Sequence, residues 1–193
     1  DRKPASLPKD KERWPSVDIF IPTYNESLDV VKPTVYAALT VDWPKEKLNV
    51  YILDDGSRKE FKDFACEVGA GYIEREEHKH AKAGNINHAM GITKGDFIAI
   101  FDCDHVPVKT FLQKTMGWFL KDEKIALVQT PHHFYSQDPF EKNLHLKENV
   151  PNENSLFHDF IQKGNDTWNA TMFCGSCAIM RRKTLEEVRR YRC

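Results

Sequence analysis

Two carboxylates one residue apart, Asp102 and Asp104 of "FDCDH", follow directly on the apolar run Phe97-Ile98-Ala99-Ile100-Phe101. In an extended or turn conformation residues two apart point to the same side. The pair can therefore converge on one hard cation that also takes phosphate oxygens. The plainer alternative is two surface aspartates after a strand, since D-x-D triplets arise easily by chance. "LDDGS" places Asp54 and Asp55 ahead of Gly56. Asp-Gly is a favoured turn pair, and a carboxylate facing a crevice there can accept hydrogen bonds from a ribose or a base N–H group. "HKHAKAGNIN" offers Lys82 beside a helix N-terminus, with Gly84 allowing close backbone approach. That combination favours phosphate, against the alternative of a solvated basic turn.

Other chemistry is weaker. "CGSC" (174–177) is a C-x-x-C pair without the second pair that a zinc ribbon needs. It lies in an apolar stretch rather than at the start of an early helix, unlike a thioredoxin-like site. It reads as buried thiols, or as a pocket wall around Gly175 and Ser176. Among eight histidines, His132-His133 and His78-x-His80 have no matching carboxylate or thiol pattern, and only His105, beside the D-x-D triplet, is placed to join a cation site. Neither G-x-x-x-x-G-K-[ST] nor G-x-G-x-x-G occurs, which argues against a P-loop and a dinucleotide-binding oxidoreductase.

The elements that must hold these residues alternate. "VDIFIPTYNE" predicts a strand over Val17–Ile21, stopped by Pro22, and "SLDVVKPTVYAALTV" a helix with Val31, Val35, Ala38 and Leu39 inward. "LNVYILDDGS" is a second strand, and "EFKDFACEVG" a helix with Phe61, Phe64, Ala65 and Val68 inward and Gly69 as its stop. "GYIERE" is a short strand, "AKAGNINHAMGITKG" a helix with Ile86, Ala89 and Met90 inward, and "DFIAIFDCDH" the next strand. "PVKTFLQKTMGWFL" predicts a helix with Val108, Leu112, Met116 and Phe119 inward and Pro107 in its first turn. Such alternation implies a parallel sheet covered on both faces, in which ligands gather at the carboxyl ends of the strands. "PTYNE", "DDGS" and "DCDH" all sit at such ends. Beyond them, "IALVQT" (125–130) reads as a strand, "PHHFYSQDPFEKN" as a loop with a short helix, and "NENSLFHDFIQKG" as a helix. "ATMFCGSCAIMRR" reads as an apolar strand broken by a glycine turn, and "TLEEVRRYRC" as a short basic helix.

The 193 residues suit one domain, with 40% hydrophobic and 11% aromatic content to build a core. Residues 1–15, rich in charge and proline, predict a linker or arm, and 16–193 the domain proper. Two halves are expected within it, 16–110 and 111–193. Lys and Arg number 28 against 29 Asp and Glu, a net charge of −1, which argues against a nucleic-acid partner. No apolar run approaches the roughly 18 residues that span a bilayer. Five scattered cysteines do not form a disulfide framework, so a reducing compartment is expected. The three N-x-[ST] triplets are taken as chance.

Taken together and in order, "PTYNE", "LDDGS", "HAKAGNINHA", "FDCDH", "QTPHHF" and "FCGSCA" resemble the catalytic domain of processive family 2 glycosyltransferases, specifically of the bacterial cellulose synthase type, over residues 15–185 or so. The resemblance implies a GT-A fold: α/β, Rossmann-like, a doubly wound and mostly parallel sheet with helices on both faces. It implies a nucleotide sugar, a divalent metal (Mg²⁺ or Mn²⁺), and transfer of glucose from UDP-glucose to the 4-hydroxyl of a growing β-1,4-glucan with inversion. Carried over by motif, Thr23, Tyr24 and Glu26 would frame the uridine, and Asp54 would hold the base or ribose. Lys82 would contact the diphosphate. Asp102 and Asp104 would bind metal and diphosphate, with His105 as a further metal neighbour. Phe173, Cys174, Gly175 and Ser176 would shape the acceptor end.

The family also carries a T-E-D triplet whose aspartate is the general base, a Q-x-x-R-W motif, membrane helices and, in bacteria, a cyclic-di-GMP-binding PilZ domain. None occurs in these 193 residues. The expectation is a piece of such an enzyme, without its catalytic base, that binds nucleotide but does not polymerise alone. The parent would act at the cytoplasmic face of a bacterial inner membrane with a periplasmic partner subunit. A metal-dependent phosphohydrolase and an inactive nucleotide-binding or assembly module are the alternatives.

Overall fold

A computed structural model describes residues 3–76, 80–131, 162–168 and 170–188. Six strands form one sheet in the order β3-β2-β1-β4-β6-β5. They are β1 (Val17–Thr23), β2 (Leu48–Asp54), β3 (Gly71–Glu74), β4 (Phe97–Ile100), β5 (Leu127–Gln129) and β6 (Ala178–Arg181). The helices are α1 (Leu28–Leu39), α2 (Lys59–Val68), α3 (Ala81–Ile92), α4 (Phe111–Lys121) and two short ones, α5 (Lys163–Thr167) and α6 (Arg182–Glu187). The first four strands are parallel to one another, while β6 runs antiparallel to both β4 and β5. The sheet is thus mixed, with one reversed strand in an otherwise parallel set. The chain steps outward from β1 to β2 to β3 and then returns across β1 to β4, so the switch point lies between β1 and β4.

Alternation along the strands builds two apolar layers. Val17, Ile19 and Ile21 of β1 pack with α1, α2 and α4 on one face, whereas Phe20, Leu53, Ile98 and Ile100 pack with Ile86, Ala89 and Met90 of α3 on the other. Helix α2 stops where expected: Gly69 is left-handed at φ 76° and Ala70 N donates to Ala65 O at 2.9 Å.

Several boundaries differ from the sequence-based expectation. Strand β1 runs through Pro22 to Thr23 instead of stopping at Ile21. Phe20 O, facing β4, accepts from Phe101 N, so Pro22, two residues on, turns its missing donor toward a side where β4 has already ended; no ladder bond is lost. Strand β4 ends at Ile100, leaving "FDCDH" outside the ladder. Helix α4 begins at Phe111, so Pro107 and Val108 precede it and Val108 is 62% exposed rather than inward. In "ATMFCGSCAIMRR" only Ala178–Arg181 is strand. The segments expected over residues 132–161, and the basic end beyond Val188, lie outside the described residues.

Residues 3–15 lie against the domain. Trp14 is buried against Trp43 with ring centroids 4.5 Å apart, and its Nε1 donates to Pro8 O at 2.8 Å. A Cβ placed on Gly117 of α4 would lie 2.0 Å from Ala5 O. Gly117→Ala is therefore expected to lift the 3–8 segment off α4 at a cost of about 1–3 kcal/mol. Thermal denaturation together with faster proteolytic cleavage near Ala5 would register it.

Candidate active site

The carboxyl ends of β1, β2 and β4 lie side by side. Thr23 pairs with Asp54 across β1 and β2, and Phe20 with Ile100 across β1 and β4. Asp55 N then donates to Thr23 O at 3.0 Å and Phe101 N to Phe20 O at 3.0 Å, carrying the order into the loops. "PTYNE", "DDGS" and "DCDH" thus open on one edge of the sheet.

At the β1–β2 side, Glu26 folds back over its own loop. Its Oε2 accepts from the Thr23 hydroxyl at 2.9 Å and from Tyr24 N at 2.8 Å. Burial alone would raise the Glu26 carboxyl, but hydrogen bonds from the loop N–H groups and the Thr23 hydroxyl outweigh it and hold the group below its ordinary value. Tyr24 is left 57% exposed at the rim. Asp54 is turned inward and is 0% exposed. Its Oδ1 accepts from Gly56 N at 2.9 Å and Arg58 Nη2 at 2.8 Å, and its Oδ2 from Arg58 N at 2.7 Å and Tyr72 Oη at 3.0 Å. The carboxylate expected to face the crevice is here engaged by its own turn and by Tyr72 of β3. Burial, with the adjacent Asp54 carboxylate, pushes the Tyr72 phenol well above its ordinary range. Asp55, next in sequence, takes the Arg75 guanidinium in a bidentate pair at 2.6 and 2.7 Å; Arg75 also donates to Ala81 O at 2.8 Å, fastening the start of α3.

At the β4 side three separate elements meet. The Lys82 ammonium, from the first turn of α3, donates to Asp102 Oδ1 and to Gly175 O, the latter at 2.6 Å. Asp102 N donates to Ser176 Oγ at 2.8 Å, and His105 Nδ1 lies 2.7 Å from the same hydroxyl. Asp104 is the most open member, its side chain 66% exposed, with Oδ1 4.0 Å from His105 Nε2. Gly175 is left-handed at φ 85°, which lets the loop pass over Lys82. Burial raises the Cys103 thiol to about 12, with the nearby Glu26, Asp104 and Asp102 charges adding to it. The Glu26 charge thus reaches the D-x-D turn electrostatically, and both lie at the same end of the neighbouring strands β1 and β4. Cys177 is likewise pushed up, to about 11, chiefly by burial. Both stay protonated thiols, and all four described cysteines are free.

Of the residues expected at the acceptor end, Cys174 N donates to Gln129 Oε1 at 3.0 Å, and the Gln129 amide donates back to Ser176 O at 2.9 Å. Phe173 packs against the α3-side core. Ser176 is 0% exposed, so it faces the D-x-D turn rather than open space. Sequence reasoning missed Arg58, Tyr72, Arg75 and Gln129. Gln129 lay inside "QTPHHF", a signal available but unused; Arg58 had only its nearness to "DDG", and Tyr72 and Arg75 had no signal. All four non-glycine residues with positive φ among the described residues, Ser57, His80, Ala81 and Cys177, lie in the loops around the site or, for Ala81, at the first residue of α3. Such conformations cost about 1–3 kcal/mol each and concentrate where the surroundings impose a geometry.

The donor set suits a hard divalent cation. Asp102 and Asp104 offer oxygen on one open turn, and Asp102 already holds a cationic atom, Lys82 Nζ. Among the described residues no three His, Cys, Asp or Glu side chains close into a cage. The protein would therefore supply part of a coordination shell that ligand oxygens complete.

Comparison with known proteins bears on the family and the fold. The sequence profile of the family described as "Glycosyl transferase family 2" matches residues 18–189. The chain is 58% identical over 188 residues to the "Cellulose synthase catalytic subunit [UDP-forming]" of Xanthomonas axonopodis pv. citri (strain 306), covering 97% of this chain and 26% of that protein. It is 58% identical over 185 residues to "Cellulose synthase 2" of Novacetimonas hansenii, covering 96% of this chain and 12% of that protein. The chain thus spans a quarter or less, in round terms, of the curated relatives it matches. Among solved structures, a mannosyltransferase from Pyrobaculum calidifontis in complex with GDP-Man and Mn²⁺ superposes with a TM-score of 0.62 at 19% identity, over 99% of this chain and 51% of that one. S. aureus TarS 1–349 in complex with UDP-GlcNAc gives 0.61 at 17%, over 90% and 47%. These structures share the GT-A fold. With the profile match covering nearly all of the domain, the chain belongs to glycosyl transferase family 2.

Proposed function

We propose that this chain is the donor-binding part of an inverting, UDP-glucose-dependent β-1,4-glucosyltransferase of the cellulose synthase type. The observation that carries the reading is the meeting of Lys82, Asp102 and Gly175 from three separate elements, beside a loop whose Thr23 and Glu26 lock each other. The likeness to UDP-forming cellulose synthase subunits supports the sugar and the nucleotide, and the neighbours solved with Mn²⁺ and a nucleotide or nucleotide sugar support the metal. Family membership leaves the phosphohydrolase alternative without support.

In this reading Thr23, Tyr24 and Glu26 frame the uridine, and Asp54 acts on it through the loop it anchors. Lys82 and the D-x-D turn receive the diphosphate. Mg²⁺ or Mn²⁺, held by Asp102 and Asp104 with His105 beside them, would supply the positive charge that the departing UDP needs. Lys82 adds a second positive group at the place where leaving-group charge grows. The stretch Phe173-Cys174-Gly175-Ser176 borders the acceptor, with Ser176 holding the border to the D-x-D turn. For the whole enzyme the reading carries a glucan acceptor, a cytoplasmic-face location at a bacterial inner membrane, a periplasmic partner subunit and cyclic-di-GMP control.

Isothermal titration of the chain with UDP in Mn²⁺ tests it. Binding is expected with Mn²⁺ or Mg²⁺, lost on adding a chelator, and stronger for UDP than for GDP. A folded chain that takes up no UDP in the presence of metal would overturn the reading.

A further inference from the structure

Arg58 belongs to none of the motif residues, yet its side chain makes four hydrogen bonds at the β1–β2 edge. Its Nε and Nη2 donate to Asp54 Oδ1 at 3.1 and 2.8 Å, its Nη2 also to Thr23 Oγ1 at 3.1 Å, and its Nη1 to Glu26 O at 2.5 Å. The guanidinium carbon lies 3.6 Å from the centroid of the Phe61 ring. One planar group thus ties the last residue of β2 to both ends of the loop that follows β1.

Gly56 supplies an independent observation. Its φ is not left-handed, so the turn itself does not demand glycine. A Cβ there would instead lie 2.7 Å from Arg58 Nε and 3.0 Å from Tyr24 O. The missing side chain at "DDG" makes room for the guanidinium and the loop it holds.

From these contacts we infer that Arg58 is the positioning residue of the nucleoside end of the site: it fixes the 23–26 loop in the shape that receives uridine, and Asp54 acts through it. The inference rests on the UDP reading above. Lysine cannot replace it, because a single ammonium on a flexible stem lacks the planar fork that reaches three acceptors in different directions. The effect is local to the nucleoside end. Among the described residues Arg58 makes no hydrogen bond to Lys82, Asp102 or Asp104.

The test is titration of the intact chain and its Arg58→Lys and Arg58→Met variants with two probes, UDP and inorganic pyrophosphate, each with Mn²⁺. Both variants are expected to bind UDP about 10-fold or more weakly, since a loop no longer preorganised must be ordered at binding. Pyrophosphate affinity should stay within about twofold, because the diphosphate end keeps its charges. Should Arg58→Met fail to fold, Arg58→Lys alone decides. Equal loss of both probes would reduce Arg58 to scaffolding and overturn the inference, as would UDP binding unchanged in Arg58→Lys. If the unaltered chain binds pyrophosphate but not UDP, the donor-site reading itself fails, and this inference with it.

Discussion

Arg182→Met is expected to destabilise the fold by about 3–5 kcal/mol, the cost of stranding a buried charge. The charge is Asp18, 0% exposed in the middle of the sheet. Its Oδ2 accepts from Arg182 Nη2 at 2.8 Å and from Gly95 N at 2.7 Å, and its Oδ1 from Asn49 Nδ2 at 3.0 Å. Arg182 also donates to Gly95 O at 2.5 Å, Met90 O at 2.9 Å and Thr93 Oγ1 at 2.9 Å. Methionine fills a similar volume but leaves the carboxylate without its counter-charge and two carbonyls without a donor. Adding Asp18→Asn to the same protein should recover part of the loss, because the stranded charge is then gone. Urea denaturation of the two variants measures both. A loss under about 1 kcal/mol for Arg182→Met would show that water or a neighbour reaches Asp18, contrary to its burial. The network matters to the site because Arg182 follows directly on β6, whose first residue, Ala178, is preceded by the Gly175–Cys177 stretch that meets Lys82 and Asp102. Loosening the pair at one end of β6 should slacken the site at the other.

Where periodic apolar spacing controls structure, the sequence was legible. Phe61, Phe64 and Ala65, or Ile86, Ala89 and Met90, recur on one helical face and are buried on it. Val108 shows the limit of that logic. It fits the spacing of Leu112 and Met116, but the chain before Phe111 is a turn, and periodicity has no meaning outside the helix. Pro22 shows another: a residue that breaks strands in general is harmless where its neighbour strand has already ended. The reversed direction of β6 could not be read from "SCAIMRR", because an apolar run carries no direction. Within the site, the carboxylates were visible because Asp at strand ends is conspicuous. Their orientation was not. Asp54 and Asp55 are adjacent and chemically alike, yet both are consumed by arginines, Arg58 and Arg75, that sit 4 and 20 residues further on. Asp102 and Asp104 alone remain on an open turn. How each carboxylate is engaged, Asp102 by Lys82 included, depends on pairings made across the fold, and Gln129 and Ser176, joined across 47 residues, belong to the same class of long-range contact.

The Lys82 pairing leads to the sharpest functional expectation, because two ligands should respond with opposite sign. The ammonium lies on Asp102 Oδ1 and Gly175 O, in the place a cation would take on that carboxylate. On the proposed function a diphosphate would offer the ammonium a more highly charged acceptor and leave Asp102 to the metal. Lys82→Met should therefore weaken UDP binding in Mn²⁺ by about 10- to 100-fold, the worth of one charge-assisted contact of about 1.5–3 kcal/mol. The same variant should bind Mn²⁺ alone more tightly than the unaltered chain, since no competing positive charge remains on Asp102. Asp102→Ala with Asp104→Ala removes both oxygen donors, and UDP binding in Mn²⁺ should fall below detection while circular dichroism stays native. Calorimetry reads the UDP arm, and the free Mn²⁺ signal in electron paramagnetic resonance reads the metal arm. Weakened Mn²⁺ binding in Lys82→Met would mean that the lysine organises the turn instead of occupying it. Unchanged UDP binding in the double aspartate variant would move the cation elsewhere and remove the physical basis for reading "DCD" as the metal end of the site.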